Sequence, residues 1–165
     1  MSTATTTRWL TDEEQRTWRT YLMGTTQLTM RLDRDLQEEH DLSLPEYEIM
    51  VRLSEADEHR MRMSELADSL NHSRSRLTHT VARMERDALV ERISCPSDGR
   101  GIFAHLTDTG FQRLADAAPT HVAGVRRNLI DITSPEDLAV LERVFGRVAE
   151  TITGGRPWPG SSIGR

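Results

Sequence analysis

The sequence holds a single cysteine, Cys95, and no lysine at all, so that its 21 basic residues are all arginine. One cysteine makes neither an intrachain disulfide nor a multi-cysteine zinc site, which leaves packing to supply the stability. No apolar run exceeds the four residues 138–141, and residues 1–8 contain no hydrophobic stretch of the kind that directs secretion. A membrane-spanning helix is thereby excluded, and the cytoplasm is the expected location. Enzyme signatures are missing too. There is no His-Glu-x-x-His, no phosphate-cradling glycine loop and no Gly-x-Ser-x-Gly, and the 6 histidines are scattered, so neither catalysis nor a cofactor is expected. The all-arginine basic set carries no functional weight, because codon bias produces it as readily as a demand for bidentate contacts.

What is present is one domain's length, 165 residues, with 36% apolar residues spaced regularly enough to argue for a folded chain. The net charge of -5 is unevenly spread. Residues 1–59 carry 6 arginines against 13 acids, 60–105 carry 8 against 6, and 106–165 carry 7 of each. The middle third is therefore basic in an acidic protein. Between Asn71 and Arg83 stand three arginines and two histidines with no acid, a pattern suited to an anionic partner such as a phosphate backbone. On charge alone, a solvated helix face is the favoured reading.

The local signals mark six helices and a hairpin. Thr11 and Glu14 form a capping box, and Trp18, Tyr21, Leu22, Thr25, Leu28, Leu32 and Leu36 follow as one stripe about seven turns long. Ser43, with Pro45 in the first turn, opens a second helix through Tyr47, Met50, Val51 and Leu53 to near Asp57. Ser64 is the expected cap of a short third helix, and Ser73 of a fourth that turns Leu77, Val81 and Met84 inward. Residues 89–95 and 102–106 read as two strands around the turn at 96–99. Thr107 to Gly110 begins a helix whose apolar positions are Phe111, Leu114, Ala118, Val122, Val125 and Leu129, with a bend or break expected near 115–118 because of Pro119. Ser134 and Pro135 open the last helix, with Leu138, Leu141, Val144, Phe145, Val148 and Ile152 as its stripe.

Helix, helix, helix-turn-helix, hairpin and two long helices describe a mainly α, winged helix-turn-helix fold between helical arms. The run Met63-Ser64-Glu65-Leu66-Ala67, then 73–78, Val81, Met84-Glu85, Leu89-Val90-Glu91-Arg92, Asp98-Gly99-Arg100 and 106–110 resembles the MarR family of bacterial transcriptional regulators. The resemblance spans roughly 12–152 and rests on the ordered combination. The Ser/Thr-rich start at 1–10 reads as flexible and the Gly-, Pro- and Ser-rich residues 154–165, where no stripe survives, as a disordered tail, which leaves a single domain at 11–153. Within the domain, a DNA-binding lobe at about 43–107 lies between dimerisation helices at about 11–40 and 108–153. One departure is that Asp87-Ala88 stands where the family often has glycine, so a tighter or frayed helix end is expected there.

A recognition helix needs small or hydrogen-bonding residues near its start, with cations placed for phosphate or guanine edges. Ser73, Arg74, Ser75, Arg76, Thr78, His79 and Arg83 fit that need, with Ser73 first a cap and Arg76 ranked above Arg74 as base reader. An isolated Ser-Arg repeat is usually just a solvated face, but the short helix before it and the hairpin after it change the reading. What the resemblance implies for Arg100 is a place in or beside the minor groove, with Asp98 orienting the wing. It also implies a homodimer on a roughly palindromic double-stranded DNA site, most often as a repressor.

Relatives respond to small aromatic ligands in a crevice between the arms and the DNA-binding lobe, and Trp18, Tyr21, Tyr47, Met50, Pro119 and His121 are the candidates here. Taken singly, each is more simply a packing residue. Cys95, just before the wing turn and near Arg92 and Arg100, is a candidate oxidant sensor, although most lone cysteines are inert. A redox- or metal-responsive regulator of the same fold, and a helical interaction module without DNA binding, stay open as alternatives; no metal ligands are assigned.

Overall fold

The computed structural model describes residues 7–95 and 98–154, and of Cys95 and residues 98–100 the backbone alone. Helix α1 (Asp12–His40) begins at the expected box, in which Thr11 accepts from the amide of Glu14 while the Glu14 carboxylate accepts from that of Thr11. It ends at Asp41, whose positive φ of 50° closes the last turn. Helix α2 (Leu44–Glu55) repeats the device with Ser43 and Glu46. A 3-10 turn (Asp57–His59) leads to strand β1 (Arg60–Arg62), helix α3 (Met63–Ser69) and helix α4 (Arg74–Arg86). Strands β2 (Val90–Cys95) and β3 (Asp98–Leu106) precede helix α5 (Asp108–Val125), a π-helical turn (Arg126–Ile130) and helix α6 (Pro135–Thr153).

Three of these elements differ from the sequence expectation. The wing is a three-stranded antiparallel sheet of order β1-β3-β2, in which Arg60 pairs with His105 and Arg62 with Phe103. A three-residue strand holding two arginines is too short to show a period, so only its pairing with β3 reveals it. Helix α3 starts two residues earlier than a cap at Ser64 would give; Arg62 is its N-cap residue and makes no side-chain cap bond. Helix α5 runs unbroken through Pro119. The proline removes the donor for the Ala115 carbonyl, and Ala115 is exposed, so that carbonyl is not left unpaired in the core.

The core lies in the central lobe. Leu36, Ile49, Met50, Leu53, Leu66, Leu77, Val81 and Met84 are fully or almost fully enclosed. Helix α5 closes this core with Gly110, Leu114, Ala117 and Gly124, while Phe111, Ala118 and Val122 of the expected stripe face wholly or partly outward. The reason is close approach. A Cβ on Gly110 would stand 2.0 Å from the Leu89 carbonyl oxygen, and one on Gly124 would stand 2.8 Å from Leu32 Cδ2. Small residues set the seat of α5, and the larger apolar ones beside them turn away. At the same crossing, the buried Asp35 of α1 holds Arg31 at 2.8 Å and Arg127 at 3.0 Å, fastening α1 to the π-helical turn.

The arms beyond this lobe are different. Of α1 only Leu32, Asp35 and Leu36 are buried, and of α6 no residue is. Trp18 stacks on Tyr21 at 5.6 Å and Tyr21 meets Phe145 at 5.3 Å, yet all three rings stay more than a third exposed. No helix among the described residues is long and apolar enough to cross a membrane.

Candidate nucleic-acid interface

Helix α4 is presented as the charge pattern suggests. Ser73, in extended conformation, accepts from the amide of Arg76 at 3.2 Å and so caps the helix before the first arginine. Leu77, Thr80, Val81 and Met84 are buried, which leaves Ser73, Arg74, Ser75, Arg76, Thr78, His79 and Arg83 exposed along a single helix. The turn from α3 is tight. Asn71 takes a positive φ of 52°, and the His72 amide donates to the Ala67 carbonyl at 2.9 Å. The His72 imidazole is pushed down in pKa by burial and then by Arg76, and its buried Nδ1 has no hydrogen-bond partner among the described residues.

Arg83 does more than face solvent. Its Nε donates to Glu46 Oε1 at 2.6 Å and its Nη2 to Ser43 Oγ at 3.4 Å, so the recognition helix is braced against the start of α2. Burial opposes ionisation of Glu46, but the hydrogen bonds from Ser43 and Arg83 outweigh it and hold the carboxyl below its usual value. On the same flank, Arg76 lies near enough to Glu48 to favour its charge against the burial that pushes its pKa up.

The opposite flank of α4 meets the wing. Arg62, Arg74 and Arg92 line a notch of about 360 Å³ between the helix and the sheet, with Met63, Leu77 and Ile102 as its apolar part. The guanidinium groups of Arg60 and Arg62 each lie 5.4 Å from the centre of the Phe103 ring. Arg92 is held by Glu85 of α4 at 2.7 Å, which ties β2 to the recognition helix. The side chains of Asp98, Arg100 and Cys95 lie outside the described residues, so their assigned roles rest on the sequence. The same holds for the tail 155–165 and residues 1–6.

The candidate crevice residues divide. Tyr47 and His121 come together with ring centres 4.5 Å apart beside a cleft of about 370 Å³ that Val51, Arg52, Ser69 and Leu70 help to line. Burial pushes the Tyr47 phenol up and the His121 imidazole down, and the buried Nδ1 of His121 has no hydrogen-bond partner among the described residues. Met50 is not part of this cleft, because it is fully enclosed in the core. Trp18 and Tyr21 belong instead to the aromatic contact with Phe145 on the arms, and Pro119 is exposed on α5 without lining the cleft. Among the described residues no three His, Cys, Asp or Glu side chains are grouped to hold a metal ion.

Sequence reasoning missed Arg62 and Arg92 in the notch, and Glu46 as the brace of Arg83. Arg62 sits in the strand that gave no signal, and the Glu46 contact joins residues 37 apart in the chain. A Glu at the third position of a capping box would have been the one clue to Glu46, since that carboxylate is already oriented by Ser43.

Comparison with known proteins agrees with this architecture. The MarR family model matches residues 42–102. The crystal structure of AbsC, a MarR family transcriptional regulator from Streptomyces coelicolor, is 49% identical and superposes with a TM-score of 0.85 over 90% of this chain and 99% of that one. Sco3205, another MarR family regulator from Streptomyces coelicolor and solved in complex with DNA, is 44% identical with a TM-score of 0.84, covering 87% of this chain and 94% of that one. The HTH-type transcriptional repressor YetL of Bacillus subtilis is 29% identical over 111 residues, 66% of each chain. The winged lobe, the helical arms and the extent of these matches agree, and the chain belongs to the MarR family of transcriptional regulators.

Proposed function

We propose that the protein is a homodimeric repressor that binds a palindromic DNA operator in the cytoplasm and releases it in response to a small aromatic ligand. The observation that carries DNA binding is the exposed face of α4, with its arginines and hydroxyls uncovered beside a wing that adds Arg62 and Arg92. This is the surface a major groove requires, with the wing reaching the flanking minor groove. The DNA complex of the Streptomyces relative supports the reading.

Dimerisation is supported by α6, which buries nothing within its own chain while Leu141, Val144, Phe145 and Val148 form a continuous apolar line. Scattered apolar residues are ordinary on a surface, whereas such a line is an interface waiting for cover. Two recognition helices about 34 Å apart then meet successive turns of one duplex face. The effector site is the Tyr47–His121 cleft, between α5 and the DNA-binding lobe, where Tyr47, Val51 and Leu70 offer an aromatic ring apolar contact and Glu48, Arg52 and Ser69 offer polar contact.

The test is a mobility shift on genomic fragments with a salt titration, alongside light scattering. Two related half-sites protected by a dimer, with affinity falling steeply in salt, support the proposal. A monomer, or a protein that retards no DNA at low salt, would reduce the chain to a helical interaction module.

A further inference from the structure

Resting on that reading, we infer that Ser75 and His79 form the base-reading ridge of α4, and that Arg74 and Arg76 are phosphate clamps on its two flanks. Helical geometry decides the division. Successive residues of an α-helix turn by about 100°, so Arg74 and Arg76 stand about 200° apart and cannot both face the floor of one groove. The buried side is fixed by Leu77, Thr80, Val81 and Met84. Relative to Leu77, Ser75 lies about 160° round the helix and His79 about 200°, which puts these two opposite the core and farthest from the protein. Both are exposed.

The flanks are fixed independently by contacts. Arg74 and Thr78 line the notch shared with Arg62, Arg92 and the wing. Arg83 is bonded to Glu46 of α2, and Arg76, about two turns before it on the same face of the helix, acts electrostatically on Glu48 and His72. With the crest of α4 in the major groove and the wing toward the minor groove, the sugar-phosphate strand that separates the two grooves passes over the notch. Three arginines from α4, β1 and β2 converge there. On the other side the far strand meets Arg76. A hydroxyl and an imidazole, each able to donate and accept, are left to read base edges.

The experiment is selection from a pool of DNA duplexes carrying a randomised central segment. Wild type is compared with the Ser75→Ala/His79→Ala double variant, Arg74→Ala and Arg76→Ala. All four positions are exposed and none caps the helix through its side chain, so folding is checked simply by circular dichroism. The double variant should lower the preference for the enriched duplex over a scrambled one by roughly 10- to 100-fold. Each arginine variant should weaken both duplexes alike and flatten the dependence of log affinity on log salt by about one for each phosphate no longer neutralised. Loss of preference in Arg76→Ala or Arg74→Ala, with preference intact in the double variant, overturns the assignment. A wild type that enriches no sequence removes the proposed function itself, and the assignment falls with it.

Discussion

Arg83, on the recognition helix, and Glu46, in the first turn of α2, are joined at 2.6 Å, although Glu46 is buried and the Arg83 side chain is half exposed. Glu46 serves three partners at once: the Ser43 amide at 2.9 Å, the Ser43 hydroxyl and Arg83. A local capping box is thereby extended into a tertiary strut. The strut ties one flank of α4 to the start of α2, while the buried row Leu77, Thr80, Val81 and Met84 fixes which side of the helix faces out.

Removing Arg83 leaves a buried carboxylate with only Ser43 for company. Arg83→Ala should lower stability by about 2 kcal/mol, a figure kept small because half of the guanidinium already faces water. Arg83→Ala/Glu46→Gln should recover part of that loss, since the uncompensated charge is gone. Urea unfolding of the three proteins measures this, and equal losses in the single and double variants would mean the charge is not the cause.

Helix α4 closes with a bond from the Leu89 amide to the Met84 carbonyl at 2.9 Å, which places Ala88 at a φ of 54°. The end is neither frayed nor tightened, as the absence of glycine suggests it should be. An alanine takes the left-handed conformation, and the Thr107 hydroxyl donates to its carbonyl at 2.6 Å. An L-residue there costs about 1–2 kcal/mol, partly offset by the greater freedom glycine has when unfolded. Ala88→Gly should therefore stabilise by about 0.5–1 kcal/mol and raise the thermal midpoint by roughly 1–4 °C. A lowered midpoint would show that the conformation carries no strain.

Acid should weaken the fold through two partly buried imidazoles. His72 and His121 both have pKa values pushed below the usual 6.5, so they stay neutral in the folded chain while the unfolded chain takes up protons. Stability is full above that unfolded value and falls as the pH drops from about 6.5 toward the folded values. Glu46 acts in a separate, lower window, below about 4.5, where its depressed pKa makes protonation costly. His121→Phe, which keeps a ring against Tyr47, should make the thermal midpoint less dependent on pH between about 6.5 and 5.5. An unchanged slope would place the loss elsewhere.

Features decided by neighbours in the chain were open to reading from the sequence. Thr11, Ser43, Ser73, Thr107 and Ser134 all cap helices, because a cap needs only its own next three residues. The inward row of α4 was legible for the same reason. Features decided across the fold were not. Strand β1 exists only by its pairing with β3, and the seat of α5 is built from Gly110 and Gly124, which carry no hydrophobic signal. For the candidate interface, residue types were visible on α4, but which flank each arginine occupies depends on Glu46 and the wing. In the crevice, Tyr47 and His121 converged while Met50 went to the core, a choice that spacing within α2 does not make.

On the arms, Tyr21 of α1 and Phe145 of α6 touch at 5.3 Å and both remain more than a third exposed. In the proposed homodimer this half-open aromatic contact would be completed by a second copy, whose own α1 and α6 offer the same rings by two-fold symmetry. Val144→Asp/Val148→Asp lies on the exposed line of α6 and touches no core residue, so the lobe should fold normally. The variant should be monomeric in light scattering. Its operator affinity should fall by roughly 10²- to 10⁴-fold, because the second half-site no longer binds at the high effective concentration that linkage provides. Affinity for an isolated half-site should be unchanged, which separates loss of assembly from damage to α4. A variant that stays dimeric would move the interface off α6, and the exposed stripe of α1 from Trp18 to Leu22 would then be the surface left to carry it.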